Sequence, residues 1–512
     1  MFLKILMMVL FFVVTIAIGF FTRKSATNVD GFVLGGRKVG PWLSAFAYGT
    51  SYFSAVVFIG YAGQFGWKYG LAAFWIGLGN AFIGSLLAWY VLGARTRAMT
   101  HHLGSQTMPE FFGSRFNSKA LRIAAAAIIF VFLIPYTASV YNGLSRLFFM
   151  AFGLPYEFAI IAMALLTCIY VVLGGYMATA VNDFVQGIIM IIGIIAVITA
   201  VLVGHGGFTE AVITLSQIPN DTPGTAGMQG AFTSMFGPDL INLVGVIVLT
   251  SLGTWGLPQM VQKFYAIKST SAIKRGAIIS TVFALIIAGG SYFLGGFGRL
   301  AGDNVALTPA GTPVYDSVIP TLLSNMPDLL IGLTVILVLS ASMSTLSSLV
   351  LTSSSTLTLD FIKGNFAKKM SERSQLISIR GLIVVFVIIS ALIALLQYNS
   401  SVTFIAQLMA VSWGALAGSF LAPFFYGLYW KRVNAISVWA CFIFAIGLIC
   451  TNMAFGYIAS PINAGAITMV GGLILVPLVS LITPAPDKEK TAQLFKESYK
   501  NLHDYPIDPE EE

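Results

Sequence analysis

Long apolar runs, broken by short polar stretches, follow one another along almost the whole chain. A bilayer core takes about 20 apolar residues per helix. At that length the runs divide into thirteen segments, roughly 2–21, 42–66, 70–94, 121–150, 157–174, 184–203, 238–260, 276–299, 328–357, 379–397, 402–430, 434–456 and 465–483. The pattern predicts an all-α integral membrane protein. The first run has the length of a leader sequence. However, Arg23 and Lys24 follow it directly and Lys4 is its only upstream charge, so residues 1–21 are expected to stay as an N-terminal anchor helix.

Composition sharpens this picture. Hydrophobic residues make up 57% of the 512 and charged residues 9%, where a soluble chain carries about 25% charged. That leaves too few charges to solvate a globular surface, and excludes a soluble enzyme, a nucleic-acid binder and a secreted disulfide scaffold. The 51 glycines and 40 phenylalanines suit close-packed helices in lipid. Cys168, Cys441 and Cys450 all sit in apolar runs, with neither a disulfide nor a metal-ligand spacing.

The net charge of +8 serves topology. With the 22–41 loop placed in the cytoplasm and the sides alternated from there, every Lys and Arg falls on the cytoplasmic side except Lys4, Lys68, Arg146 and Arg299. The positive-inside rule then gives an N-out, C-in chain in a plasma (inner) membrane. The outer loops 204–237 and 300–327 are too short for separate domains, and residues 484–512 read as a flexible cytoplasmic tail. No glycine-rich phosphate loop of the Walker type is present, so ATP-driven transport is not expected.

Two features point to ion-coupled transport. The 20 Asp and Glu lie in loops, in the tail or near segment ends, and the four histidines lie in loops. A proton-driven carrier usually needs a titratable group deep in the membrane, so a cation held by neutral oxygens fits better, with Na⁺ the natural candidate. In addition, segments 2 and 7 look interrupted. Segment 2 carries Tyr48-Gly49-Thr50-Ser51-Tyr52-Phe53-Ser54, then Gly60, Gly63 and Gly66; segment 7 carries Thr250 to Pro258 with Gly253 and Gly256. Breaks in a span free backbone carbonyls that lipid cannot satisfy. The two segments lie five apart, so 42–203 and 238–430 form an inverted repeat with a broken first helix in each half, followed by two peripheral helices over 434–483. Segment 9 holds the densest hydroxyl cluster, with Ser344, Ser348 and Thr352 on one helical face. Ser344 and Thr345 facing unwound carbonyls of segment 2 make a small all-oxygen cage, suited to a monovalent coupling ion that must leave again.

At these residues the chain resembles the solute:sodium symporter family over nearly its whole length. The marks are Gly35-Gly36-Arg37 before Gly40-Pro41-Trp42, Thr107-Met108-Pro109-Glu110-Phe111-Phe112 with Arg115-Phe116, Gly174-Gly175, Asn182-Asp183 with Gln186, Gly256-Leu257-Pro258 and Ser344-Thr345-Leu346-Ser347. The resemblance implies the leucine-transporter type of fold, with five plus five inverted helices, one before and two after. It also implies sodium-coupled uptake by alternating access. Carried over by position, sodium is held by the carbonyls of Thr50, Phe53 and Ala341 and the hydroxyls of Ser344 and Thr345, and Asp183 assists its exit. A helix cap is an equally good reading of Asp183.

Proline-carrying members have an aspartate where this chain has Tyr52, and Trp and Tyr where it has Thr250 and Thr254. Tyr52, Trp67-Lys68-Tyr69-Gly70, Gly256-Leu257-Pro258 and Val318-Ile319-Pro320-Thr321 look more like the pantothenate branch, and monocarboxylate carriers share some of these marks. The expected solute is a small carboxylate such as pantothenate, a monocarboxylate or an amino acid such as proline. Its pocket candidates are Tyr52, Ser54, Tyr136, Thr254, Trp255, Gln259 and Gln407. Na⁺ is the coupling ion and no organic cofactor is expected. A sodium-independent facilitator or channel on the same scaffold is the alternative. An integral-membrane enzyme finds no support beyond His101-His102 near Glu110.

Overall fold

The computed structural model describes residues 2–309, 311–399, 405–500 and Leu502. Thirteen long helical segments run through it, in the order the apolar runs predict. They are α1 (Phe2–Thr22), α2 (41–69, broken at 53–54), α3 (70–102), α4 (Lys119–Phe152), α5 (156–174), α6 (176–204) and α7 (240–266, broken at Leu257). After these come α8 (Thr270–Gly296), α9 (328–362), α10 (Glu372–Asn399), α11 (Ile405–Tyr429), α12 (Ala435–Phe455) and α13 (Pro461–Ile482). No strand is found among the described residues. Helices this long and apolar make the chain a multi-pass membrane protein.

Glycine does the turning where no loop intervenes. Helical structure runs from Tyr156 to Gly204, but Gly175 sits at φ 55°, ψ −144° and folds α6 back from α5. A Cβ there would lie 2.7 Å from the Phe32 carbonyl oxygen. Gly70, at φ 60°, ψ −139°, does the same between α2 and α3. These conformations are open to glycine alone. The expected loop over 175–183 is therefore absent. α6 starts at 176, and Asp183 lies two turns inside it, so Asp183 does not cap that helix.

The breaks in α2 and α7 have different causes. Pro258 has no N–H and crowds its predecessor, which pushes Leu257 to φ −77°, ψ 123° and bends the two halves of α7 by 45°. α2 breaks at Phe53 (φ −100°, ψ 94°) and Ser54, away from its glycines. Gly60, Gly63 and Gly66 lie in its second half and serve close packing; a Cβ on Gly66 would fall 1.8 Å from the Gly295 oxygen of α8.

α9 and α11 are the most deeply enclosed helices, and α1 is largely peripheral. Residues Thr334 to Thr356 of α9 are buried without interruption. The first half of α2 packs against α9, α6 and α8, and α11 packs against α4, α7 and α13. At the face rich in Lys and Arg, an ion cluster ties the end of α9 to the start of α4. Asp360, fully buried, accepts from Arg122 Nε (2.6 Å) and from Thr107 Oγ1 (2.6 Å), while Arg122 also reaches Glu110 (3.2 Å). Thr107 in turn caps the short helix Met108–Arg115.

The same face carries a final helix, α14 (Lys488–Tyr499), where a loose tail is expected. Phe495 and Tyr499 are buried, with the Arg115 guanidinium 5.0 Å from the Phe495 ring and that of Arg95 4.7 Å from the Tyr499 ring. Residues Asn501 and His503 to Glu512 lie outside the described residues.

Candidate functional site: an oxygen cage between two broken helices

The cage forms where α9 crosses the break in α2. Breaking a helix leaves carbonyls without their intrahelical donors, and here hydroxyls of α9 take them up. Ser344 Oγ donates to Thr50 O at 2.8 Å and lies 3.2 Å from Ala341 O. Thr345 Oγ1 lies 3.1 Å from Ala341 O, 3.3 Å from Thr50 O and 3.5 Å from Ser51 O. Five neutral oxygens thus gather within one small volume, all on fully buried residues. Oxygen ligands in such a set suit a hard cation, and rotating the two hydroxyls presents their lone pairs to it. Four of the five expected residues, Thr50, Ala341, Ser344 and Thr345, come together in this way. Phe53 lies in the break itself, and no described hydrogen bond ties its carbonyl to the pair. The Ser51 carbonyl was missed by the sequence reading.

Below the cage, the hydroxyl face of α9 continues as a ladder. Ser348 Oγ lies 2.7 Å from Ser51 Oγ and accepts from Lys263 Nζ at 3.1 Å; Thr352 donates to Gln262 at 2.8 Å. Gln262 and Thr352 then line a cleft of about 10 Å³ with Thr107, Met108, Pro258 and Tyr265. Such a space has room for roughly one water. Lys263, expected in a basic loop, is buried in the second half of α7 with 1% of its surface exposed. Asp183 is fully buried nearby, and neither carboxyl oxygen has a hydrogen-bond partner.

The pocket candidates divide. Tyr52 donates to Thr250 O of α7 and stacks on Trp413 at 5.6 Å, and Tyr136 meets the same indole edge-on at 5.9 Å. Gln259 is buried with both amide atoms unpartnered. These three have surfaces or donors to offer. Thr254 and Trp255 instead bond to the Gly84 and Ile83 carbonyls of α3, at 2.9 and 3.0 Å, which explains them as packing. Ser54 accepts from Val56 N and starts the second half of α2. Gln407 is half-buried in the first turn of α11, away from these contacts.

Sequence reasoning missed Tyr61, Asn80, Tyr292 and Trp413. All four are buried: the Tyr61 hydroxyl has no hydrogen-bond partner, the Tyr292 hydroxyl faces Asn80, and Trp413 Nε1 faces the Tyr136 hydroxyl. Tyr61 and Tyr292 lie near Tyr52. Buried polar groups are usually well satisfied, so a group of donors this sparsely bonded has the makings of a ligand site. Among the described residues, no charged side chain takes part in it.

Two broken helices set against hydroxyl-rich α9 are the architecture of carriers of the leucine-transporter type. The comparisons agree. The model of the sodium:solute symporter family matches residues 32–444. The sodium/proline symporter of Staphylococcus aureus strain JH9 is 31% identical over 453 residues, covering 84% of this chain and 83% of that one. The same protein from strain NCTC 8325 matches equally. Among solved structures, a Na⁺-coupled sialic acid symporter in a substrate-bound, outward-open state superposes with a TM-score of 0.74. It is 18% identical, with 94% of this chain and 98% of that one covered, and it bears out the fold that the motifs imply. The chain belongs to the sodium:solute symporter family. It is a transporter, not an enzyme.

Proposed function

We propose that this chain imports a small carboxylate-bearing solute together with Na⁺ by alternating access. The coupling ion occupies the cage of Thr50, Ser51, Ala341, Ser344 and Thr345, with the Phe53 carbonyl beside it, and Asp183 assists its exit. The observation that carries this reading is the convergence of the Ser344 and Thr345 hydroxyls on carbonyls freed by the α2 break. The face rich in Lys and Arg is cytoplasmic, so the N-terminus is outside and the C-terminus inside. Residues 42–203 and 238–430 are the two inverted repeats that move against each other, and the two helices of 434–483 stay at the periphery.

The solute sits among Tyr52, Tyr61, Asn80, Tyr136, Gln259, Tyr292 and Trp413. These groups offer N–H and O–H donors and no carboxylate, which suits an anion carrying no ammonium group. Pantothenate or a monocarboxylate fits that set better than an amino acid. Proline is the second reading, favoured by the 31% identity to a sodium/proline symporter. Uptake of labelled pantothenate, acetate and proline into proteoliposomes separates these. One of the first two should accumulate only under an inward Na⁺ gradient. Sodium-driven proline accumulation alone would shift the substrate to the second reading, and uptake indifferent to sodium would point to a facilitator.

A further inference from the structure

Lys263 and Asp183 are buried ionisable groups that carry opposite charges when ionised, and neither is well satisfied. The Lys263 ammonium has three N–H donors, and its described hydrogen bond is the one to Ser348 Oγ at 3.1 Å. The two Asp183 oxygens accept nothing. Each lies in the other's electrostatic field, and Asp183 is the charged group that faces Lys263 among the described residues. The Tyr176 ring stands by both: its centroid is 5.1 Å from Lys263 Nζ, and its hydroxyl, also unpartnered, lies in the field of Asp183. A buried charge held by one hydroxyl is costly to keep there. Closing the gap would satisfy both ions and take Lys263 off Ser348.

The hydrogen bonds around Ser348 fix where Lys263 stands relative to the cage. Ser51 Oγ donates its proton to Ala47 O at 2.6 Å. The 2.7 Å contact between Ser51 and Ser348 must therefore be donated by Ser348, whose lone pair accepts from Lys263. A directed chain runs from the ammonium through Ser348 and Ser51 to the backbone of α2. Ser348 is one turn along α9 from Ser344, about 5–6 Å away, and the Ser51 carbonyl belongs to the cage. The Lys263 side-chain nitrogen thus stands one helical turn below the cation cage, on the side toward the basic face.

We propose that Lys263 is a positioning residue for sodium: a tethered cation that weakens sodium binding in the cage, and that shifts from Ser348 to Asp183 when sodium enters. This rests on the sodium reading of the cage. Two unit charges about 8 Å apart in a protein interior repel enough to change affinity by roughly thirtyfold. Removing the charge should tighten sodium binding and slow its release. Removing the Asp183 charge should do the reverse.

The test is equilibrium sodium binding to the purified full-length protein, read as sodium-dependent stabilisation against heat with potassium as control. Lys263→Met, of similar length and without charge, should lower the half-saturating sodium concentration by roughly thirtyfold, while maximal transport falls. Asp183→Asn should raise it, and the double variant should return close to wild type. Lys263→Arg keeps the charge and should stay within about twofold. Lys263→Met with unchanged or weaker sodium affinity would overturn the proposal. If that variant does not fold, sodium affinity unchanged in Asp183→Asn, or lost in Lys263→Arg, overturns it equally. A wild-type protein stabilised no more by sodium than by potassium would instead overturn the sodium reading of the cage, and this inference with it.

Discussion

Asp316 shows what burial does to a single group at the opposite face. It sits in the loop between α8 and α9, fully buried, with Oδ1 unpartnered and Oδ2 accepting weakly from Ile405 N at 3.4 Å. Burial raises its pKa from 3.8 to about 6, against the opposing pull of Arg146. A raised carboxyl pKa penalises the folded state wherever the group must ionise. The penalty is complete above about pH 6 and fades as pH falls toward 3.8. Asp316→Asn should therefore be more stable than wild type at pH 8, by about 3 kcal/mol at most, with the gain shrinking toward pH 4. Melting curves of the two proteins at both pH values check this, and an equal gain at both would contradict it. At the same scale, legibility depended on chemical contrast. Ser344 and Thr345 stood out because spans with few charges leave hydroxyls as the main polar signal. Tyr61, Asn80, Tyr292 and Trp413 did not, because one amphipathic residue in an apolar helix gives no sign of which way it faces. The apolar run of segment 7 ends near 260 and leaves Lys263 outside it, and only packing shows that residue to be interior.

Helices α2 and α7 were legible as interrupted, but their causes were not equally so. Pro258 announces the α7 break through the geometry proline imposes on its predecessor. In α2 the break falls at Phe53–Ser54, inside the interrupted stretch Tyr48–Ser54, whereas Gly66 is needed for contact with Gly295. Glycine marks close approach and irregular backbone alike, and sequence does not distinguish them. Gly175 is the reverse case: a turn of one residue between two membrane helices, which the pattern extends into a nine-residue loop. Gly175→Ala should cost about 3 kcal/mol, from backbone strain and the clash with Phe32. A markedly lower melting temperature and a reduced folded yield are the expected results. A variant that melts like wild type would mean that α5 and α6 meet differently.

Across the whole molecule, thirteen segments and their order were legible because bilayer thickness sets helix length and leaves a long, repeated signal. The packing of α14 was not, since a short polar helix looks the same docked or free. Phe495 and Tyr499 hold it against Arg115 and Arg95, and the Tyr499 hydroxyl donates to Leu428 O at 2.7 Å. Phe495→Ala with Tyr499→Ala should lower the melting temperature of the detergent-solubilised protein by several degrees, from lost burial and cation–π contact. An unchanged melting temperature would mean that the tail helix contributes nothing to the fold. The central claim is that a cation held by neutral oxygens at the α2 break drives transport. The most direct measurement is the sodium dependence of solute uptake in proteoliposomes for wild type, Ser344→Ala and Thr345→Ala, each at equal membrane incorporation. Loss of one oxygen ligand to a cation should raise the half-saturating sodium concentration by roughly tenfold or more, with maximal uptake largely recovered at high sodium. Wild-type sodium dependence in both variants would contradict the cage and the coupling mechanism built on it.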